Sequence, residues 1–190
     1  MIHPLLEKRY SPRAFSEKSI APTDLELLFE AARWSPSARN EQPWRFIYAS
    51  KENSESYQQM LHILNDWNQQ WAQSAPVLIA AVAKKNYNYK KTTNEHAWYD
   101  LGQSVAHLTF QASALGLYVH QMGGFSKEKA SQWLGIPEGY EPVTMIALGY
   151  KGELERIPES YRADETKTRE RLKPECIQFE NQWQECKGND

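Results

Sequence analysis

The stretch Pro76-Val-Leu-Ile-Ala-Ala-Val-Ala83 constrains the fold more than any other part of the chain. It is a nearly continuous apolar run. That length, with branched side chains, reads as a β-strand buried on both faces. A strand of this kind needs one layer of structure above it and another below. The chain must therefore place helices on two sides of a sheet.

The other elements fit that demand. Arg45–Ala49, Leu117–Met122 and Pro142–Tyr150 read as further strands, and the alternation of Ile177 and Phe179 with polar neighbours suggests a last edge strand. Pro4 can open a short helix carrying Leu5 and Leu6, and Pro22 a longer one, with Asp24 and Glu26 near its start. Leu25, Leu28, Phe29 and Ala32 then share one helical face. Residues 52–72 read as one or two helices. The longest helix runs roughly from His96 to Leu115, with Leu101, Val105, Leu108, Ala112 and Leu115 as its apolar stripe. Its small residues Gly102, Ser104, Ala106, Ser113 and Ala114 allow close packing, and Gly116 stops it. Ser126 can cap a following short helix. Residues 84–95 form a long polar loop with Tyr87 and Tyr89, a candidate lid. From Lys151 the chain is charged and punctuated by proline, without periodicity. The expectation is a single α+β domain over residues 1–190 with three α/β/α layers. Its sheet is mixed and mostly antiparallel, and residues 151–190 form an extended C-terminal segment.

Charge and composition exclude some functions. Twenty-two basic against 24 acidic residues leave a net charge of −2, which offers no long-range attraction to nucleic acid or an anionic membrane. No apolar run approaches a bilayer span, and the first residues lack the apolar core of a secretion signal. Cys176 and Cys186 have no metal-ligand spacing; the reading is free thiols in a reducing, cytoplasmic setting, with a disulfide late in the chain as the alternative. The five histidines also lack metal-ligand spacing, and His107, near the long helix's stripe, is expected as a buried, hydrogen-bonded core residue. No phosphate loop, nucleophile elbow, zinc-protease pair or glycine fingerprint of a bound dinucleotide is present.

What remains is a set of polar loops. Arg9-Tyr10-Ser11-Pro12-Arg13 places two guanidiniums and a hydroxyl in five residues. The run Ala32-Arg-Trp-Ser-Pro-Ser-Ala-Arg-Asn-Glu-Gln-Pro-Trp44 follows a helix and precedes a strand. Its two prolines stiffen a loop whose Ser37, Arg39, Asn40 and Gln42 suit holding a polar, planar ligand. Met122-Gly123-Gly124-Phe125 ends a strand, and Arg169-Glu170-Arg171-Leu172 lies near the C-terminus.

In this order and spacing the loops resemble the nitroreductase family of flavin-dependent oxidoreductases, over nearly the whole chain. The segment 32–44 is similar to that family's Ala-Pro-Ser-x-x-Asn-x-Gln-Pro-Trp signature. The resemblance implies a homodimer with FMN held at the subunit interface and NAD(P)H as a transient hydride donor. A small conjugated acceptor, such as a nitroaromatic or quinone, would follow in a ping-pong cycle. It also implies that Arg9, Ser11, Arg169 and Arg171 hold the FMN phosphate, with Tyr10 beside them, and that Arg13 faces the pyrimidine edge. Pro36, Ser37, Ala38, Asn40 and Gln42 would reach the flavin of the other subunit, and the backbone of Met122, Gly123 and Gly124 would lie over the ring near N5. His120, Gln121 and Arg39 are candidate substrate contacts. No side chain is assigned as a general acid. Tyr10, Ala38, Arg39 and Glu41 depart from the family's usual pattern at the mouth of the site. The same resemblance extends to oxidases, dehalogenases and flavin-remodelling enzymes that do not use nicotinamide, and to non-catalytic flavin binding.

Overall fold

In the central strand β2 (Val77–Lys84), alternate side chains enter two different cores. Leu78 and Ala80 join one cluster; Val77, Ile79, Ala81 and Ala83 join the other. This is the period-two geometry of a strand sandwiched between layers. The computed structural model describes residues 1–186. β4 (Tyr140–Gly149) divides in the same way, with Met145 and Ala147 on one face and Ile146 and Leu148 on the other.

The sheet order is β1-β2-β4-β3, with β1 at Trp44–Ser50 and β3 at Tyr118–Met122. All three pairings are antiparallel, so no parallel pair occurs in this sheet. The register of β2 against β4 shifts between Ala81 and Val82, where Val82 meets Pro142. Pro142 has no N–H to give a ladder, and the irregularity accommodates it inside a central strand.

One helical layer contains α2 (Pro22–Arg33) and α5 (Ala97–Ala114), with Leu25, Leu28, Leu101, Val105 and Leu108 turned to the sheet. The other contains α3 (Ser54–Ile63), α4 (Asp66–Ala72) and α6 (Lys127–Trp133), with Tyr57, Met60, Ile63 and Trp71 in its core. α1 (Pro4–Lys8) is short and lies against α5. Ser126 caps α6 by accepting from the Lys129 N–H, and Gly116 leaves α5 at φ +72°, a left-handed conformation that suits glycine.

The C-terminal part differs from expectation in three respects. Residues 151–175 contain a helix, α7 (Glu159–Glu165), whose Tyr161 is fully buried and donates from its hydroxyl to the Trp67 carbonyl at 2.9 Å. Ile177 and Phe179 do not form a strand; the chain there makes a 3-10 turn at Pro174–Cys176 and then irregular turns. Their alternation has no pairing partner within the described chain. Cys176 and Cys186 are not free thiols but a disulfide, with Cα atoms 4.7 Å apart. Turns at 177–182, with Asn181 at φ +68°, fold the chain back and bring the sulfurs together. Their pairing removes the basis for inferring a reducing compartment from free thiols.

The segment before α2 is locked to the end of β4. Phe15 bridges to Lys151, the Gly152 N–H donates to Ala14 O at 2.9 Å, and the Ser16 N–H donates to Tyr150 O at 2.9 Å. A Cβ on Gly152 would lie 2.4 Å from the Phe15 carbonyl carbon, so only glycine allows this approach. Gly152→Ala is expected to cost about 1–3 kcal/mol through backbone displacement. Urea unfolding checks this, and a variant as stable as the wild type would contradict it.

Candidate active site

Segments far apart in sequence meet beside the C-terminal half of α5. A cleft of about 340 Å³ is lined by Leu5 and Leu6 of α1, then Arg9, Ser11, Gln121 and Arg171, with Thr109, Phe110 and Ser113 of α5 as its wall. Arg9 donates to Ser11 Oγ at 3.2 Å. Arg169 donates to the backbone carbonyls of Glu7, at 2.6 Å, and Arg9, closing the end of α1. Arg171 donates to the carbonyl of Glu170 at 2.6 Å. Burial lowers the pKa of Arg9, and the charges of Arg169 and Arg171 lower it further. Arg169 and Arg171 are therefore each close enough to repel the Arg9 guanidinium. Among the described residues, no carboxylate forms an ion pair with any of them. Such a cluster favours an anion with several acceptor oxygens.

Arg13 and His120 do not face this cleft. The Arg13 guanidinium lies 3.5 Å from Asp164 and 4.0 Å from Glu165, and its backbone N–H donates to Glu165 at 2.7 Å. It ties the N-terminal segment to α7. His120 Nδ1 donates to the Pro12 carbonyl at 2.9 Å, and its ring packs 4.4 Å from Trp71. A carbonyl cannot donate, so Nδ1 carries the proton. Burial pulls the His120 pKa down to about 4; the Pro12 bond opposes this and the charge of Arg13 adds to it. His120 thus props up the Arg9–Arg13 segment from behind and is not an open substrate contact. Gln121, its exposed neighbour, does line the cleft. Tyr10 turns onto Tyr118, with ring centroids 5.2 Å apart; burial raises its phenol pKa, opposed by Lys151.

The glycine pair divides in role. The Met122 side chain is in the core, and only its backbone is available. Gly123 is exposed, with open space where a Cβ would be. A Cβ on Gly124 would lie 2.4 Å from Asn65 Nδ2, and the Gly124 carbonyl accepts from the Asn65 N–H and from Asn68 Nδ2, both at 3.0 Å. A side chain at 124 would have to push aside the Asn65 and Asn68 amides at the start of α4.

The signature loop is held by one face of α5. Ser104 Oγ donates to Ala32 O at 3.0 Å, Ser35 Oγ and His107 Nδ1 are 2.8 Å apart, and Asp100 accepts from the Ala38 N–H at 3.0 Å. Positions 100, 104 and 107 follow i, i+4, i+7 spacing. Asp100 and Ser104 are 2% and 0% exposed. His107 is itself exposed, so it is an anchor on the helix surface and not the expected core histidine. Within the loop, Ser37 Oγ accepts from the Gln42 N–H at 3.0 Å, and Gln42 Nε2 donates to Asn40 O at 3.2 Å. Arg39, Asn40 and Gln42 have φ of +53°, +56° and +48°. Left-handed residues with a Cβ each cost on the order of 1 kcal/mol or more, so the anchors from α5 hold a strained turn. Pro36, Arg39 and Asn40 are exposed at its tip. This loop does not line the cleft of Arg9 and Arg171. Asp100 and Phe110, which mark the two places on α5, are about 15 Å apart along the helix axis.

The Nitroreductase family pattern matches residues 6–150, and the chain belongs to that family. A solved structure of an oxidoreductase containing FMN superposes with a TM-score of 0.91 at 30% identity, covering 97% of this chain and 94% of that one. A protein of Archaeoglobus fulgidus provisionally named NADH dehydrogenase/NAD(P)H nitroreductase is 27% identical over 151 residues, 77% of this chain and 83% of its own. An iodotyrosine deiodinase of Haliscomenobacter hydrossis is 23% identical over 188 residues, 84% of this chain and 83% of its own. No helix among the described residues is long and apolar enough to cross a membrane. None of their His, Cys, Asp and Glu side chains form a group that could hold a metal ion.

Asp100, Ser104 and the supporting role of His120 were not legible in the sequence, because their partners lie 62, 72 and 108 residues away. His120 yields a pH prediction. The unfolded chain takes up its proton near the ordinary pKa of 6.5, while the folded protein resists until about 4. Stability is therefore full above the upper value and is lost as pH falls through this window. The loss attributable to His120 between pH 7 and pH 5 is about 2 kcal/mol. Denaturant titrations at both pH values should find His120→Gln less sensitive to acid by about that amount. Equal acid sensitivity in the two proteins would count against a neutral His120.

Proposed function

We propose that the protein is an FMN-dependent oxidoreductase that passes a hydride from NADH or NADPH to a small conjugated acceptor such as a nitroaromatic or quinone. The observation that carries this reading is the convergence of Arg9 and Arg171 on one cleft, with Arg169 close behind Arg9 and no carboxylate partner for any of the three among the described residues. The donor set suits a phosphate dianion: two guanidiniums at the cleft, the Ser11 hydroxyl beside them and Arg169 bracing the segment. Gln121 adds an amide, and Leu5, Leu6 and Phe110 supply apolar wall. FMN held by these residues would supply the two-electron redox chemistry that links a nicotinamide donor to the acceptor.

The chain's own residues bind, orient and shield. Gly123 leaves room for its backbone to approach a planar ring. Arg13 is assigned to the pyrimidine edge, which requires it to exchange its Asp164 contact for the ligand. Pro36, Ser37, Asn40 and Gln42 are assigned to the flavin of a second copy, with Ala38 fixing the turn through Asp100. Two features support a homodimer. Tyr99, Gly102, Ala106 and Phe110 leave a partly apolar stripe of α5 exposed, and residues 166–186 contribute no buried side chain to their own subunit. The tail beyond Arg171 is assigned to the partner's surface. In this reading donor and acceptor use the same place in turn.

The similarity to an iodotyrosine deiodinase supports a second reading, an FMN enzyme that does not use nicotinamide. Anaerobic mixing of the FMN-loaded protein with NADH and NADPH separates the two. Bleaching of the visible flavin band is expected with at least one donor; persistent colour with both would favour the second reading. Arg9→Ala and Arg171→Ala are each expected to weaken FMN binding by ~1.5–3 kcal/mol through loss of a charged hydrogen-bond donor. Unchanged affinity in both variants, measured by fluorescence quenching, would remove them from the clamp.

A further inference from the structure

The two charged residues at the tip of the signature loop, Arg39 and Glu41, both engage the loop that follows β2. The Glu41 carboxylate accepts from the Asn88 N–H at 2.8 Å and from its side-chain amide at 2.7 Å. The Arg39 guanidinium lies 5.0 Å from the centre of the Tyr89 ring. Lys84 donates to the side-chain amide oxygen of Asn88, and Lys90 lies 5.1 and 5.4 Å from the rings of Tyr87 and Tyr89. At its base the loop is closed by the Asn86–Thr93 bridge and by the Tyr87 N–H donating to Thr92 O at 2.9 Å. It is thus pinned to the signature loop at one end and to itself at the other.

Its chemistry is one-sided. The run Lys84-Lys85-Asn86-Tyr87-Asn88-Tyr89-Lys90-Lys91 holds four ammonium groups and no carboxylate, within a chain of net charge −2. Arg39 adds a fifth cation. The facing Glu41 carboxylate is already engaged by the Asn88 amides. Tyrosine rings interleaved with cations form a surface that binds flat, negatively charged molecules through ring contact and charge together.

We propose that this loop gives the active site a preference for ligands carrying negative charge near the reacting ring, an inference that rests on the flavin-site reading above. Two sources share that chemistry: an aromatic acceptor bearing a carboxylate, and the phosphates of the dinucleotide donor. Because the two ligands use the site in turn, the two half-reactions distinguish them.

The test compares wild-type holoenzyme with the triple variant K85Q/K90Q/K91Q, which keeps the Arg39 and Glu41 contacts and the tyrosines. In one arm the flavin is reduced chemically and reoxidised by 4-nitrobenzoate or by its neutral methyl ester. In the other arm NADH and NADPH reduce the oxidised enzyme. A loss of roughly tenfold in second-order rate is expected for the carboxylate but not for the ester, or for the dinucleotides. The affected arm identifies the source, and high salt should erase the difference between wild type and variant. Unchanged rates in both arms overturn the proposal. Chemical reduction keeps the first arm independent of nicotinamide use, so an enzyme that ignores NADH and NADPH can still reveal or refute the charge preference. A protein that takes up no FMN ends the earlier reading and this one together.

Discussion

The burial of β2 on both faces is the constraint on which the rest of the structure depends. A strand with apolar side chains on both sides leaves no room for polar function in the middle of the sheet. Functional groups are therefore displaced to strand ends, loops and the surface of the helices that cover the sheet. α5 is the central case. Its inner face packs on β2 and β3 through Leu101, Val105 and Leu108. Its polar side positions Asp100, Ser104 and His107 hold the signature loop. Farther along, Thr109, Phe110 and Ser113 wall the arginine cleft. One helix thus fixes two parts of the site by the same rigid geometry.

The two parts are held by different physics. The signature loop is strained, with three left-handed residues bearing side chains, and hydrogen bonds from the buried side chains of Asp100 and Ser104 hold it in place. The arginine cleft stores like-charge repulsion. Burial and the neighbouring charges lower the pKa of Arg9, whereas Arg13 and His120 form internal ties that keep the N-terminal segment in position. An anion in the cleft relieves that repulsion.

Much of the fold was legible because it is written in short-range periodicity. The apolar run at 76–83, the stripe from Leu101 to Leu115 and the proline starts at 4 and 22 each specify their own element. α7 was not legible, since seven residues between proline and polar segments bury little besides Tyr161. The alternation at Ile177 and Phe179 misled, because alternation alone does not supply a neighbouring strand. For the site, residue types and order pointed to Arg9, Ser11 and Arg171, which do share a cleft. Which basic residues are open and which are tied down was not legible. Arg13 is paired with acids about 150 positions away, and Arg169 caps α1 from the far end of the chain. Such contacts carry no local pattern, so only the folded geometry separates them.

The central claim is that the arginine cleft is built for the phosphate of FMN. Thermal denaturation of flavin-free protein with FMN or with riboflavin tests it most directly, since the two differ only in the phosphate. FMN should raise the melting temperature with saturation, and riboflavin at equal concentration should have little effect. Equal stabilisation by both, or by neither, would contradict the clamp.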